Sequence, residues 1–171
     1  MTEVAERIIS FVRSIGLELR VGPIAGETAL PGIRIERGGL VVDPERCLYP
    51  GDILHEAGHL AVAPPSVRHA MDGTIDPKQD YAHAGELMTL PWTYAAALSI
   101  GIDPAVVFHE DGYHGASTSL LENFSEGRFI GLPMLEWTGM AAGSQRAAEL
   151  GVAPFPAMIS WVRVNEAGAP R

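Results

Sequence analysis

The stretch His55-Glu56-Ala57-Gly58-His59 carries the most specific signal in this chain of 171 residues. Two histidines four residues apart lie on the same face of an α-helix, one turn apart, so both imidazole rings can reach one metal ion. The glutamate beside the first histidine cannot easily join them as a ligand. It is placed instead to take a proton from a water that the metal activates. The stretch therefore predicts a helix that carries a metal site.

The flanking residues favour a helix that buries one face. Asp52 is predicted as the N-cap of a helix from Ile53 to about Val62, and Pro64-Pro65 ends that helix. Gly58 falls on the histidine side, where a missing side chain leaves room for a metal or a close backbone. At about 100° per residue, the apolar residues form an arc opposite the histidines: Ile53, Leu54, Ala57, Leu60 and Ala61.

A third metal ligand must come from outside the motif, because catalytic zinc usually has three protein ligands and keeps a fourth position for water. The longer pattern H-E-x-x-H-x-x-G-x-x-H is excluded, since Val62 and Pro65 stand where it needs glycine and histidine. Glu86, on the next predicted helix, is the favoured third ligand. The alternatives are His83, which shares the helix face of Glu86, and then Asp80 and Asp76.

The rest of the chain predicts one α+β domain over residues 1–171, with a small twisted sheet beside the motif helix and a second ligand-bearing helix. Residues 63–80 are predicted as a long loop. Arg37-Gly38-Gly39 is predicted as a hairpin turn. The predicted strands are Leu17 to Val21, Gly32 to Glu36 and Gly39 to Val42. The other predicted helices are Glu3 to Ile15, Asp80 to Ile100 with a kink or break at Pro91, Asp103 to Phe108, Ser119 to Ser125, and Ser144 to Leu150.

Composition narrows the partners and the compartment. A formal net charge of −9 argues against nucleic acid, whose phosphates need a basic face. No apolar run reaches the length of a membrane span or of a secretory signal. Cys47 is the only cysteine, which favours a reducing cytoplasm. Two interpretations stay open for the apolar residues near the end of the sequence, namely packing in the core and a homodimer surface. These residues are Phe155, Ile159, Trp161 and Val162.

The segment Leu54 to Leu60, an apolar strand at Leu40-Val41-Val42 before it, and Glu86 on a later helix resemble the zincin metallopeptidases. Within that superfamily they are similar to the gluzincins, whose third zinc ligand is a glutamate. The resemblance implies a zinc-dependent hydrolase that acts on peptide or protein substrates. It also implies that Gly39 to Val42 is a sheet-edge strand along which the peptide lies, with a core strand as the open alternative.

Within this resemblance, His55, His59 and Glu86 hold zinc, and Glu56 is the general base that later returns the proton to the leaving amine. A donor for the oxyanion is sought in the polar segment at residues 109–114, where Tyr113 and His114 are candidates. A solvated loop without a catalytic role is the alternative for that segment. Tyr94 is a further oxyanion candidate, although its surroundings favour core packing.

Two other hypotheses compete with a peptidase. Peptide deformylases combine H-E-x-x-H with a cysteine ligand, and Arg46-Cys47-Leu48 is superficially similar to their Gly-Cys-Leu segment. However, Cys47 comes shortly before the motif instead of far upstream, and Gly58 replaces the aspartate of that family. The second hypothesis is a non-catalytic zincin-like module whose metal is structural, which would require four protein ligands.

Overall fold

A computed structural model describes residues 1–73 and 80–166, without the side chains of residues 80–84. Its strands are β1 (Leu19–Val21), β2 (Ile33–Glu36) and β3 (Gly39–Val42). Its helices are α1 (Glu3–Ser14), α2 (Pro50–Val62), α3 (Pro65–Ala70), α4 (Asp80–Ser99), α5 (Ser117–Ser125), α6 (Leu132–Trp137) and α7 (Ser144–Leu150), with 3₁₀ turns at Pro104–Val106 and Tyr113–Gly115. The predicted α+β class is confirmed.

The sheet has the strand order β1-β3-β2, with β1 parallel and β2 antiparallel to β3. The predicted hairpin is confirmed, because Glu36 pairs with Gly39 around a two-residue turn in which Arg37 has φ 49° and Gly38 has φ 76°. This turn type matches the natural twist of two antiparallel strands. The expectation that Gly39–Val42 is an edge strand is wrong. β3 is the buried central strand, and β1 and β2 are the two edge strands.

α1 packs on the sheet and on α2 through an amphipathic face. Its N-cap is Thr2, whose Oγ1 accepts a hydrogen bond from the amide of Ala5 at 3.2 Å. Ile8 and Val12 are fully buried, and burial of such a side chain contributes about 1.5–3 kcal/mol. α1 therefore packs against both the sheet and α2.

The metal helix α2 begins earlier than predicted. Tyr49 is its N-cap and Pro50 its first residue, so Asp52 is not the cap. Proline suits the first position of a helix because its ring fixes φ and no amide donor is missing there. The Asp52 carboxylate instead accepts a hydrogen bond from Nε2 of His109 at 3.0 Å. α2 is buried on nearly all sides, since α4 covers the face that carries the histidines.

Other boundaries differ modestly from prediction. The predicted loop after α2 contains the short helix α3, which Pro65 starts instead of merely stopping α2. α4 continues as one helix through Pro91. α6 was not predicted, and the segment 155–164 forms no regular element beyond an isolated bridge between Ala141 and Met158. Asp76 lies outside the described residues. No helix in the described ranges has the length and apolarity needed to cross a membrane.

A late segment caps the C-terminal end of α2. The amide of Arg163 donates to the carbonyl of Ala61 at 2.8 Å, and the buried Arg163 guanidinium lies 3.5 Å from the carbonyl of Val62. Arg68 donates to the carbonyls of Leu60 and Ala63 at 2.7 and 2.9 Å. These bonds satisfy the carbonyls that a helix end leaves without intrahelical partners.

The apolar residues of this late segment divide between core and surface. Phe155 is buried, and Trp161 packs edge-on against Phe11 and Trp92. Ile159 is 45% exposed. The possible homodimer surface stays a prediction.

Candidate metal centre

The two motif histidines face each other across one helical turn. Nε2 of His55 lies 3.0 Å from Nε2 of His59, and the two rings are nearly perpendicular at 87°. Among the described residues, His55, Glu56 and His59 form a group whose potential ligand atoms lie within 4.8 Å of one another. This His-Glu-His cluster can hold a metal ion.

Glu86 reaches the same point from α4. Its Oε1 lies 3.1 Å from Nε2 of His59, and its Oε2 lies 3.8 Å from Nε2 of His55. Ligand atoms around tetrahedral zinc, at bond lengths of about 2.0–2.1 Å, are roughly 3.3 Å apart. The distances among the three side chains bracket that value, so the residues present fit a zinc ion. The side chains of His83 and Asp80, the alternative ligands, lie outside the described part of the chain.

The other nitrogen of each histidine contacts a hydroxyl group. Nδ1 of His55 lies 3.0 Å from the hydroxyl of Tyr113, and Nδ1 of His59 lies 3.3 Å from Oγ1 of Thr89. When each Nδ1–H donates to its hydroxyl oxygen, both rings present the lone pair of Nε2 to one point. Such bonds fix the tautomer and the orientation of metal-binding histidines. Sequence reasoning missed Thr89, although it lies three residues after Glu86 on the same helix face.

The local electrostatics favour a neutral His55, a more basic His59 and a basic Glu56 carboxylate. Burial and the neighbouring His59 lower the pKa of His55 to about 3. Burial also acts to lower the pKa of His59, but the hydrogen bond that His59 donates to Glu86 and the charges of Glu56 and Glu86 raise it overall. Burial raises the pKa of Glu56, with smaller contributions from Glu86 and Asp52 against the lowering effect of His59. A carboxylate with a raised pKa is a stronger base.

A cleft of about 320 Å³ opens onto the cluster. Glu56, His59 and Glu86 line one side of the cleft, and β2 with residues 27–30 lines the other. The edge strand β2 therefore has the position beside the metal ligands that the sequence assigned to β3.

Gly58 permits the close packing of α2 on α4. A β-carbon at this position would lie 2.7 Å from Cγ2 of Thr89 and 3.1 Å from Cε3 of Trp92. The space beside Gly58 is therefore filled by α4 side chains, which brings Glu86 to the histidines.

Tyr113 and His114 lie in a strained turn. Both are non-glycine residues with positive φ, 55° and 51° respectively, a conformation that costs energy and is often found at functional sites. The Tyr113 hydroxyl contacts Nδ1 of His55, and the His114 side chain is exposed. The oxyanion role of each stays a prediction. Tyr94 packs against Phe124 with ring centroids 4.9 Å apart, in line with its expected place in the core.

The segment that carries Tyr113 is attached to the N-terminal part of α2. Nε2 of His109 donates to Asp52, and the ring of His109 stacks on Tyr49 with centroids 4.0 Å apart. Ser117 donates to the carbonyl of His109 at 2.6 Å. Burial raises the pKa of Asp52, and the hydrogen bond and charge of His109 offset part of that shift. These contacts hold Tyr113 against His55.

Cys47 is separate from the cluster. It lines a different cavity with Pro50 and Ile53, and its sulfur lies 3.7 Å from the carbonyl of Tyr49. Burial, with a smaller contribution from Asp52, raises its pKa to about 11. Among the described residues, Cys47 does not belong to the group of side chains that could hold a metal ion, and the deformylase hypothesis stays a prediction.

Comparison of the chain with family models, curated proteins and solved structures finds no match. The resemblance to gluzincins therefore stays a prediction.

Proposed function

We propose that this chain is a zinc-dependent hydrolase that cleaves peptide bonds, with His55, His59 and Glu86 as the metal ligands. The observation that carries the proposal is the convergence of three side chains, whose facing nitrogen and carboxylate oxygen atoms lie 3.0, 3.1 and 3.8 Å apart, at the wall of an open cleft. Three protein ligands leave one coordination position for water or substrate, as catalytic zinc sites do.

When bound, zinc supplies a Lewis acid that makes water more acidic and polarises the substrate carbonyl. Glu56 removes a proton from the attacking water and delivers it to the leaving amine as the carbon–nitrogen bond breaks. Its burial supports the first step, since a raised pKa makes the carboxylate a better proton acceptor. Tyr113 and Thr89 orient the two imidazole rings.

A non-catalytic module with a structural metal is the competing function. Glu56 belongs to the potential ligand group, so it would have to complete a closed four-ligand site. The cleft beside Glu56 argues for the catalytic role. A peptide or protein substrate, a cytoplasmic location and a homodimer stay predictions.

Replacement of Glu56 by glutamine separates the two functions. If Glu56 is the base, Glu56→Gln keeps stoichiometric zinc and loses at least about 100-fold in kcat on a peptide library followed by mass spectrometry. The control Glu149→Gln, on the exposed face of α7, keeps full activity. Full activity in Glu56→Gln would overturn the mechanism, and a large loss of zinc affinity would identify Glu56 as a ligand of a structural site.

A further inference from the structure

We infer that the cleft favours a short peptide, or the free end of a peptide, over the interior of a long chain. The inference rests on the proposed hydrolase function and concerns the substrate of that same site. Its basis is the outer edge of β2, which, among the described residues, is open for one short stretch and is closed at both ends by parts of the protein that bond to it.

The open stretch consists of two backbone groups. The amide of Asp43 donates to the carbonyl of Gly32 at 2.8 Å, and Glu36 pairs with Gly39, so alternate residues of β2 bond to β3. The backbone groups of Ile33 and Ile35 therefore point to the outer edge. In the described residues, the carbonyl of Ile33 and the amide of Ile35 have no partner. A substrate backbone can bond to both.

The number of substrate residues that fit follows from this spacing. In a parallel orientation, one peptide residue donates to the Ile33 carbonyl and accepts from the Ile35 amide. In an antiparallel orientation, two alternate residues make the same two bonds. The cleft volume of about 320 Å³ is also near the lower end of the range for ligand sites, about 300–1,000 Å³.

One end of the edge is closed by the segment 24–30. The carbonyl of Leu30 accepts from the amide of Ile33 at 3.1 Å and so takes the place of a substrate strand. Two arginines hold this segment. Arg34 donates to the carbonyl of Ala25 at 2.7 Å, and Arg46 donates to the carbonyls of Ile24 and Gly26 at 2.7 and 2.8 Å. The segment 24–30 therefore forms an anchored wall at this end of the β2 edge.

The other end is closed by the residues that follow α3. The amide of Gly73 donates to the carbonyl of Ile35 at 2.8 Å, and the carbonyl of Met71 accepts from Gly38 at 2.8 Å. A peptide that pairs with β2 therefore meets protein backbone in both directions. It must end, or turn away from the strand, within about two residues of the open groups.

Peptide length provides the test. The zinc-loaded protein is assayed by mass spectrometry on mixed-sequence tripeptides with free ends and on mixed dodecapeptides with acetylated and amidated ends. We expect kcat/KM for the tripeptides to be at least about tenfold higher, a difference of about 1.4 kcal/mol. Equal cleavage at internal bonds of the capped dodecapeptides would overturn the length limit and leave the hydrolase function intact.

Absence of hydrolysis on every peptide would overturn the hydrolase function, and binding then decides the length limit separately. Zinc-loaded Glu56→Gln is titrated with both peptide sets by calorimetry. Tighter binding of the free tripeptides, by about tenfold or more, supports the inference. Equal binding of both sets, or binding of neither, overturns it.

A variant of the wall gives an independent measurement. Arg46 lies outside the cleft lining, and Arg46→Met removes the bonds to Ile24 and Gly26 while it keeps the side-chain stem. We expect the preference for tripeptides to fall by at least about threefold, roughly the loss of one net hydrogen bond. Arg146→Met, an exposed arginine paired with Glu149 on α7, is the matched control. An unchanged preference in a folded Arg46→Met protein would refute the role of the wall.

Discussion

The hydroxyl of Tyr113 can be removed with little other change. In Tyr113→Phe the ring keeps its packing against Phe108, 5.1 Å away between centroids, and against His55 at 5.4 Å. Only the 3.0 Å contact to Nδ1 of His55 is lost. That nitrogen is buried, and a buried donor without a partner costs about 1–3 kcal/mol. Since 1.4 kcal/mol is tenfold in affinity, we expect zinc to bind about 10- to 100-fold more weakly.

The assay is a competition titration of zinc against a chelator of known affinity, together with thermal unfolding of the zinc-free protein. The Nδ1 bond strengthens when Nε2 binds a metal, because the ring then becomes a better donor. The loss should therefore appear mainly in zinc affinity. Tyr94→Phe, a second half-buried tyrosine that packs on Phe124, is the control. Zinc affinity within about threefold of the wild type in Tyr113→Phe would refute the argument that this hydroxyl supports the ligand.

Three further predictions concern the cluster and its surroundings. The raised pKa of His59 means that a proton competes with zinc, so zinc affinity should fall as the pH drops through a value above 6.5. In Glu86→Gln this pH dependence should move to lower pH. The same pH dependence as in the wild type would count against the contact between Glu86 and His59. Gly58→Ala should lower the melting temperature by about 2–4 °C, since overpacking by about 1–3 kcal/mol exceeds the helix gain of about 1 kcal/mol. Gly22→Ala, which meets no atom within 4 Å, should show no such loss. The Cys47 thiol, with a pKa of about 11, should react with a disulfide reagent about tenfold more slowly than a free thiol at pH 8, and equal rates would disagree with its burial.

Local sequence signals predicted most of the elements near the motif. The β2–β3 hairpin follows from alternating apolar residues around Arg37-Gly38, and α7 has the predicted bounds Ser144–Leu150. The predicted start of α2 was wrong because the helix begins with a proline at its first position and has no side-chain cap. The edge position expected for β3 was also wrong, since it depends on where β1 pairs and no local pattern encodes that.

The site was predictable to the extent that it follows helical geometry. His55, His59 and Glu86 come together because the small Gly58 lets α4 approach α2. The hydroxyl partners were not predictable, as Tyr113 reaches His55 only through a turn with positive φ at two non-glycine residues. Glu56 is the general base in both the sequence hypothesis and the proposed function, and its role stays a prediction.

The capping of α2 by Arg163 makes the metal centre depend on distant parts of the chain. The carbonyl of Ala61, two residues after His59, is bonded to the amide of Arg163, so the last turn of the metal helix and the late segment should open together in hydrogen exchange. A fragment limited to residues 39–100 would lose the bonds from Arg163 and keep only Arg68 to cap this end of the helix. We therefore expect the motif to bind zinc more weakly in such a fragment than in the folded chain.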